Sequence, residues 1–316
     1  MIKSTFWTGK KILVTGGDGF LGTHLVAELK RRGATDITIP HHPEVDLCKL
    51  EDCRRVVSGM DLVIHLAAKV GGIGLNQAKP AELYYDNLIM SAQLMEEARK
   101  AGVKKYVALA TICSYPKFTP VPFEETSLWQ GYPEETNAPY GIAKLGQLVQ
   151  STASRQQYGF NSIVLFPVNL YGPGDNFDPQ TSHVIPALIR KVADAKKAGA
   201  DHIVLWGTGR ATRGFLYVKD AAEGIALAAE KYNKSEAVNL GTPIEISILD
   251  LVKTIMKLMQ YDGKIEFDTS KPDGQPRRGL SIVKAQKEFG FTAKTSFEQG
   301  LNETIDWYEK ELPNSK

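Results

Sequence analysis

The chain has 316 residues, of which 43% are hydrophobic and 23% charged, enough for a sizeable core in two compact lobes. A net charge of +2 excludes the strong field that draws a protein to nucleic acid or an anionic membrane. No apolar run approaches the roughly 18 residues of a membrane span.

Three cysteines, Cys48, Cys53 and Cys113, make no disulfide framework, and the spacing of the first two fits no common zinc pattern. Met1 to Lys10 lacks the apolar core of a secretory leader. A cytoplasmic protein without a metal is expected.

Lys11 to Thr15 reads as a buried strand and Phe20 to Arg32 as a helix stopped by Gly33. Between them, Gly16-Gly17-Asp18-Gly19-Phe20-Leu21-Gly22 carries a G-x-x-G-x-x-G spacing. Such a turn serves a dinucleotide. The first glycine permits the bend, the second lets a pyrophosphate approach the backbone, and the third packs helix on strand. Thr35 to Ile39 is the second strand. A NAD site usually has an acid near its end to hold the ribose 2′-hydroxyl, but Pro40-His41-His42-Pro43 follows. Imidazoles there can face a 2′-phosphate, so NADPH is expected over NAD. In the next loop, the Asp46 carboxylate can meet an adenine amine.

Asp61 to Ala68 is a buried strand whose small terminal residues let a cofactor pass. Lys69 to Gly74 has the composition of a loop that moulds to a ligand. Glu82 to Lys100, with Asn87, is a long amphipathic helix, and Lys104 to Ala110 is another strand. Thr111-Ile112-Cys113 stands at its end, where open α/β sheets put their chemistry. Lys117 to Pro139 is long and Pro/Glu-rich, suited to covering a site.

Tyr140 and Lys144, four apart, share one face of the next helix. An ammonium beside a phenol lowers the phenol's pKa, which makes a proton donor or acceptor near neutrality. Asn161 to Pro167 is a further strand. The alternation predicts a Rossmann-type, doubly wound parallel sheet with a smaller mixed α/β lobe. The dinucleotide-binding part is assigned to 1–171 and 214–241, and the second lobe to 172–213 and 242–316. Phe215 to Val218 and the helix Asp220 to Tyr232 read as a return to the first lobe. Substrate is expected between the lobes.

The glycine turn, His65-Leu66-Ala67-Ala68 and Tyr140/Lys144 resemble the extended short-chain dehydrogenase/reductases that act on nucleotide sugars. A narrower likeness lies in His65 to Ile73 (HLAAKVGGI), Cys113 to Lys117 (CSYPK), Asn169 to Pro173 (NLYGP), Asp175 to Phe177 (DNF), Ser182 to Ala187 (SHVIPA) and Lys271 to Gly274 (KPDG). These resemble the GDP-L-fucose synthase family over nearly the whole chain. That resemblance implies 3,5-epimerisation of GDP-4-keto-6-deoxy-mannose and then NADPH-dependent reduction at C4. It makes Tyr140 the proton donor to the C4 oxygen and Lys144 its support and a cofactor contact. Thr111 takes the place of a serine, and Cys113 and His183 are the base and acid of epimerisation.

Carried over likewise as cofactor contacts are Gly16, Gly17, Asp18, Gly19, Phe20, Leu21, Gly22, His41, Asp46, Leu47, Leu66, Ala67, Ala68, Asn87, Leu109, Ala110, Pro167, Asn169, Leu170 and His183. Lys191, Trp206, Arg213 and Asp273 are implied contacts to the GDP-sugar, and a homodimer through long helices is implied as well. The chain departs from the family at Thr111-Ile112, at Gly214 where an acid is common, and at Pro40 to His42, which lacks the usual arginine. Two alternatives stay open: a relative acting on another GDP-4-keto sugar such as a heptose, and a 3,5-epimerase without net reduction. A non-catalytic sensor would lack the tyrosine–lysine pair or the thiol, and both are present.

Overall fold

The computed structural model describes residues 5–270 and 274–311. Strand β1 (Lys11–Thr15) is buried at every position after the first. Helix α1 (Phe20–Arg31), β2 (Asp36–Thr38), α2 (Leu50–Val57), β3 (Leu62–His65), α3 (Ile73–Ala78), α4 (Pro80–Lys100), β4 (Lys105–Leu109), α5 (Ala138–Tyr158) and β5 (Ser162–Pro167) follow in alternation. After them come β6 (Asn169–Tyr171), α6 (Val184–Ala198), β7 (His202–Trp206), β8 (Thr212–Tyr217), α7 (Val218–Lys231) and β9 (Val238–Leu240).

The main sheet has the order β2-β1-β3-β4-β5-β9, and every pairing in it is parallel. β3 and β4 are buried at all positions, as expected of strands covered on both faces. The order reverses between β1 and β3, which opens a crevice at their carboxyl ends. Gly22 fixes how closely α1 sits on this crevice. A Cβ there would lie 2.0 Å from the Gly16 carbonyl oxygen and 2.6 Å from the Gly17 Cα.

The remaining elements are β10 (Glu245–Ser247), α8 (Ile248–Leu258), β11 (Lys264–Asp268), β12 (Arg277–Arg278), α9 (Val283–Phe289) and α10 (Phe297–Glu311). A second sheet joins β6, β8, β10 and β12, with only β10 antiparallel, and β11 pairs with β7. The strand expected at 215–218 and the helix expected after it have different partners. β8 pairs with β6, β10 and β12, whereas α7 packs on α1 through a run of buried alanines including Ala221, Ala222 and Ala226. Buried side chains form two hydrophobic clusters. One surrounds the main sheet, and the other gathers Phe177, Ile189, Leu205, Phe215, Leu251 and Leu301.

The long loop expected at 117–139 ends at 137, where α5 begins; it contains a 3-10 turn at Glu125–Trp129 and reaches the segment around β12. The Phe123 N–H donates to the Gly279 carbonyl at 2.8 Å, the Ser281 N–H to the Phe123 carbonyl, and Gln275 Nε2 to the Lys117 carbonyl at 2.7 Å. This loop is therefore a fixed strap between the two sheets. Gly22→Ala must push α1 off the turn. It should cost about 1–3 kcal/mol, the usual range for overpacking, seen as a lower denaturation midpoint. Gly74→Ala, whose Cβ would meet nothing nearer than 3.7 Å, should leave the midpoint unchanged or raised. An unaltered midpoint in Gly22→Ala would refute this account of the turn.

Candidate active site

The crevice is walled first by the glycine turn. Gly16 has φ +68°, and a Cβ on it would stand 3.0 Å from the Ala67 amide nitrogen. A glycine therefore satisfies both the backbone conformation and the close approach of the β3 terminus. Thr15 Oγ1 ties the two strand ends together. It bonds His65 Nδ1 at 2.8 Å and accepts the Ala67 N–H at 3.3 Å, while His65 Nε2 meets Ser91 Oγ at 3.1 Å. His65 is completely buried, and desolvation, aided by the nearby Lys144 charge, draws its pKa well below the ordinary value. It is a neutral brace. No side chain caps α1 at Gly19, and no acid stands in its first turn. The N–H groups of that turn are thus available to a diphosphate, and the residues fit a dinucleotide.

Other expected cofactor residues are placed with more varied roles. Leu66, Ala67 and Ala68 are half-buried beyond β3, while Leu109 and Ala110 are buried at the end of β4. Pro167 ends β5, and Asn169 begins β6 with its amide donating to the Gly214 carbonyl at 3.0 Å; Leu170 follows it, half-buried. Asn87 is fully buried and committed to backbone. It accepts from the Lys69 N–H and donates to the Lys69 and Leu83 carbonyls. It therefore holds the loop after Ala68 and has no spare donor for a cofactor. Leu47 is buried, and Asp46 Oδ1 accepts the Cys48 N–H at 3.0 Å, bracing its own turn. His41, expected to face a phosphate, bonds Asp18 Oδ2 through Nδ1 at 2.9 Å.

The reacting groups collect at the end of β4. Thr111 precedes a 3-10 turn, Ile112–Ser114, and its Oγ1 accepts the Cys113 N–H at 3.2 Å. The first turn of α5 rests directly on this segment. A Cβ on Gly141 would lie 2.4 Å from the Cys113 carbonyl oxygen, and Ser114 Oγ donates to the Gly141 carbonyl at 2.8 Å. Gly141 lies between Tyr140 and Lys144, so this close approach seats the helix turn that carries both of them on the segment that carries Thr111 and Cys113. Cys113 is half-buried, and its charged form would push the Tyr140 pKa up.

The electrostatics correct one expectation. The ammonium of Lys144 does not pull the phenol down. Burial, with Cys113 adding to it, drives the Tyr140 pKa above its ordinary value, and burial alone lowers Lys144 to about 7. Lys144 is 2% exposed and has no carboxylate partner among the described residues. Desolvation leads both shifts because each charged form is costly away from water. The phenol is therefore protonated at neutral pH, which is the state a proton donor needs.

His183 occupies the N-cap position of α6. Its ring is exposed yet set among enough protein that desolvation lowers its pKa. The loop bearing it is pinned to the first lobe. The Gly72 N–H donates to the Thr181 carbonyl at 2.9 Å, and a Cβ on Gly72 would reach the Ser182 oxygen at 2.7 Å. No hydrogen bond or ring contact among the described residues joins His183 to Tyr140 or Cys113.

Further out, Lys191 Nζ lies 5.9 Å from the ring centroid of the exposed Trp206 and donates to the Val204 carbonyl. Arg213 Nη1 donates to the carbonyls of Thr212 and Gln275 at 2.8 and 2.7 Å. Asp273 lies outside the described residues. Sequence reasoning missed Arg278, which pairs in register with Arg213 across β12 and β8. Register neighbours share a face of a sheet. Arg278 Nε is buried with no partner among the described residues. It also missed Asp175, buried with Oδ2 unpartnered and its pKa pushed up to about 7 by desolvation. The Asp-Asn-Phe run was the available clue. Cys48 and Cys53, raised by burial to about 11 and about 12, stay protonated and inert.

The unfolded chain holds the Lys144 proton up to an ordinary 10.5, the folded chain only to about 7. Between those values the unfolded state binds more protons, so this group makes stability rise with pH. At roughly 1.4 kcal/mol per unit, the whole effect is on the order of a few kcal/mol. Lys144→Met should thus be more stable than the parent at pH 6, by chemical denaturation, with the gap closing toward pH 10. A constant gap would contradict the uncompensated burial.

The comparisons with known proteins agree with this geometry. The family model described as "NAD dependent epimerase/dehydratase family" matches residues 12–241. GDP-L-fucose synthase 1 of Arabidopsis thaliana is 39% identical over 306 residues, covering 96% of this chain and 94% of that protein. The GDP-L-fucose synthase of Escherichia coli (strain K12) is 35% identical over 313 residues, covering 95% and 96%. The crystal structure of a GDP-L-fucose synthetase from Naegleria fowleri bound to NADP is similar with a TM-score of 0.88 at 28% identity, covering 99% of this chain and 97% of that one. A chain with this turn, this sheet order and these full-length relatives belongs to the NAD dependent epimerase/dehydratase family.

Proposed function

We propose that the protein is a GDP-L-fucose synthase, which epimerises GDP-4-keto-6-deoxy-mannose at C3 and C5 and reduces it at C4. The observation that carries this reading is the seating of Gly141 on Cys113. That seating supports a site built from Thr111 and Cys113 on one segment and Tyr140 and Lys144 on the helix turn packed against it. The full-length relatives carry the same named activity. NADPH, when bound on the glycine turn, supplies the hydride.

The residues then divide the work. Thr111 donates a hydrogen bond to the C4 oxygen, and Tyr140, kept protonated by burial, transfers its proton there. Lys144, on the same face of α5, would act as a positioning group for that phenol and would hold the nicotinamide ribose of bound NADPH. A C4 ketone acidifies the protons at C3 and C5. Inverting either centre needs a group on each side of the ring, and Cys113 and His183 take those places. Desolvation lowers the His183 pKa, so its protonated form gives up a proton readily. Arg213 and Arg278 hold the diphosphate, for which planar guanidinium forks are suited, and Trp206 with Lys191 lies against the nucleoside. The same reading makes the protein a cytoplasmic homodimer. Reduced Cys48, Cys53 and Cys113 suit that compartment. The outer faces of α4 and α5, with Tyr85 and Val149 exposed, suit the dimer contact.

Incubated with GDP-4-keto-6-deoxy-mannose and NADPH, the protein should yield GDP-L-fucose by NMR, with one cofactor oxidised per product. Epimerised ketone without cofactor oxidation would mean an epimerase instead. Tyr140→Phe should lower turnover by at least about a hundredfold, at the low end of what a positioned proton donor contributes. It should leave solvent deuterium exchange at C3 and C5 intact. Cys113→Ser should slow that exchange by a similar factor, and formation of GDP-L-fucose with it; exchange at the parent rate would remove the thiol from the mechanism.

A further inference from the structure

The glycine turn carries a carboxylate that the mechanism does not use. Asp18 sits in the middle of the turn, half exposed, with its Oδ2 2.9 Å from His41 Nδ1. His41 comes from the segment leaving β2, and the turn rests on that same segment: a Cβ on Gly17 would meet the Ile39 side chain at 2.9 Å. In open α/β sheets the adenosine ribose lies between these two stretches, and its 2′ substituent is read by the residue past the second strand. The Asp18–His41 pair spans that gap.

The charges around it are already spoken for. His41, the imidazole expected to meet a 2′-phosphate, is held by Asp18. Lys49 lies 3.9 Å from Asp46, and Arg55 lies 2.7 Å from Asp52 while also donating to the Glu44 carbonyl. His42 is exposed and makes no hydrogen bond or ion pair among the described residues. A 2′-phosphate entering here gains one imidazole at most and meets a carboxylate. A 2′-hydroxyl meets that same carboxylate as a hydrogen-bond acceptor.

We propose that Asp18, through its pairing with His41, sets the discrimination between NADP(H) and NAD(H) and narrows it, so that the protein binds both dinucleotides with similar affinity. The bond from His41 holds the Asp18 carboxyl below its ordinary pKa, so the charge is in place at neutral pH. The inference rests on the reading of the glycine turn as a dinucleotide site, and it concerns only the cofactor's 2′ position.

Titration calorimetry of the cofactor-free protein with NADP⁺ and NAD⁺ tests it without turnover. The parent should bind the two within about fivefold. Asp18→Asn, which keeps size and exposure, should bind NADP⁺ on the order of tenfold tighter, as expected for removing one anion near a phosphate at a wet surface. NAD⁺ should bind equally or more weakly. The gain for NADP⁺ should shrink at 0.5 M salt. The half-molecules 2′,5′-ADP and 5′-AMP should repeat the pattern, which confines the effect to the adenosine end. A parent that binds NADP⁺ more than about fiftyfold tighter than NAD⁺, with Asp18→Asn unchanged, overturns the proposal while the turn keeps its role. Binding of neither dinucleotide overturns both.

Discussion

A lysine amine buried without a counter-charge is the constraint around which this structure is arranged. Lys144 is 2% exposed, and removing an ammonium from water is costly unless it is paired. The fold meets that cost by letting the amine lose its proton near pH 7 and by fixing α5 from three sides. α5 lies along α4, with Gln150 Nε2 donating to the Ala92 carbonyl at 2.8 Å. Gln147 Nε2 donates to the Leu109 carbonyl at 3.1 Å. The Gly141 backbone is clamped by Cys113 and Ser114. The backbone that carries Tyr140 and Lys144 cannot move away without breaking these contacts. A preorganised but electrostatically strained pair is what a catalytic position is expected to look like.

The rest of the site follows from sheet geometry. Parallel strands deliver their carboxyl ends to one edge, and here β1, β3, β4 and β5 deliver the glycine turn, the Leu66–Ala68 wall, Thr111 and Pro167 to that edge. The second sheet does not need to be rigidly fused to the first, because two straps define the cleft between them. One is the loop 117–137, bonded to Gln275 and Gly279. The other is the Gly72–Thr181 contact that sets the segment before His183.

Much of this was legible in the residues. The glycine spacing, the alternation of strands and helices, and the four-residue spacing of Tyr140 and Lys144 all depend on local rules. Each appears where it was expected. What could not be read depends on distant partners. Nothing local says that Asn87 is spent on the Lys69 backbone, that β8 pairs with β6, or that His41 reaches back to Asp18. The direction of the Tyr140 shift was misjudged for the same reason. Spacing reports that the ammonium is near, whereas the burial that outweighs it is a property of the assembled core. Arg278 escaped notice because Arg277-Arg278 looks like a solvated pair, and only the register of β12 against β8 brings it beside Arg213.

That last pairing has its own energetic logic. Arg278 Nε is buried with no hydrogen-bond partner among the described residues. Arg277, next in sequence, is tied instead to Glu245 at 2.8 Å, so the strand neutralises one arginine and leaves its neighbour's Nε unsatisfied. The arrangement costs stability in the protein alone. It turns favourable when a dianion shared by two forks replaces the missing partner. Under the proposed reading that dianion is the diphosphate of the sugar nucleotide. Part of the binding energy is then spent on relieving a cost built into the second sheet, and nucleotide recognition becomes coupled to the order of β12 and of the strap that leans on it.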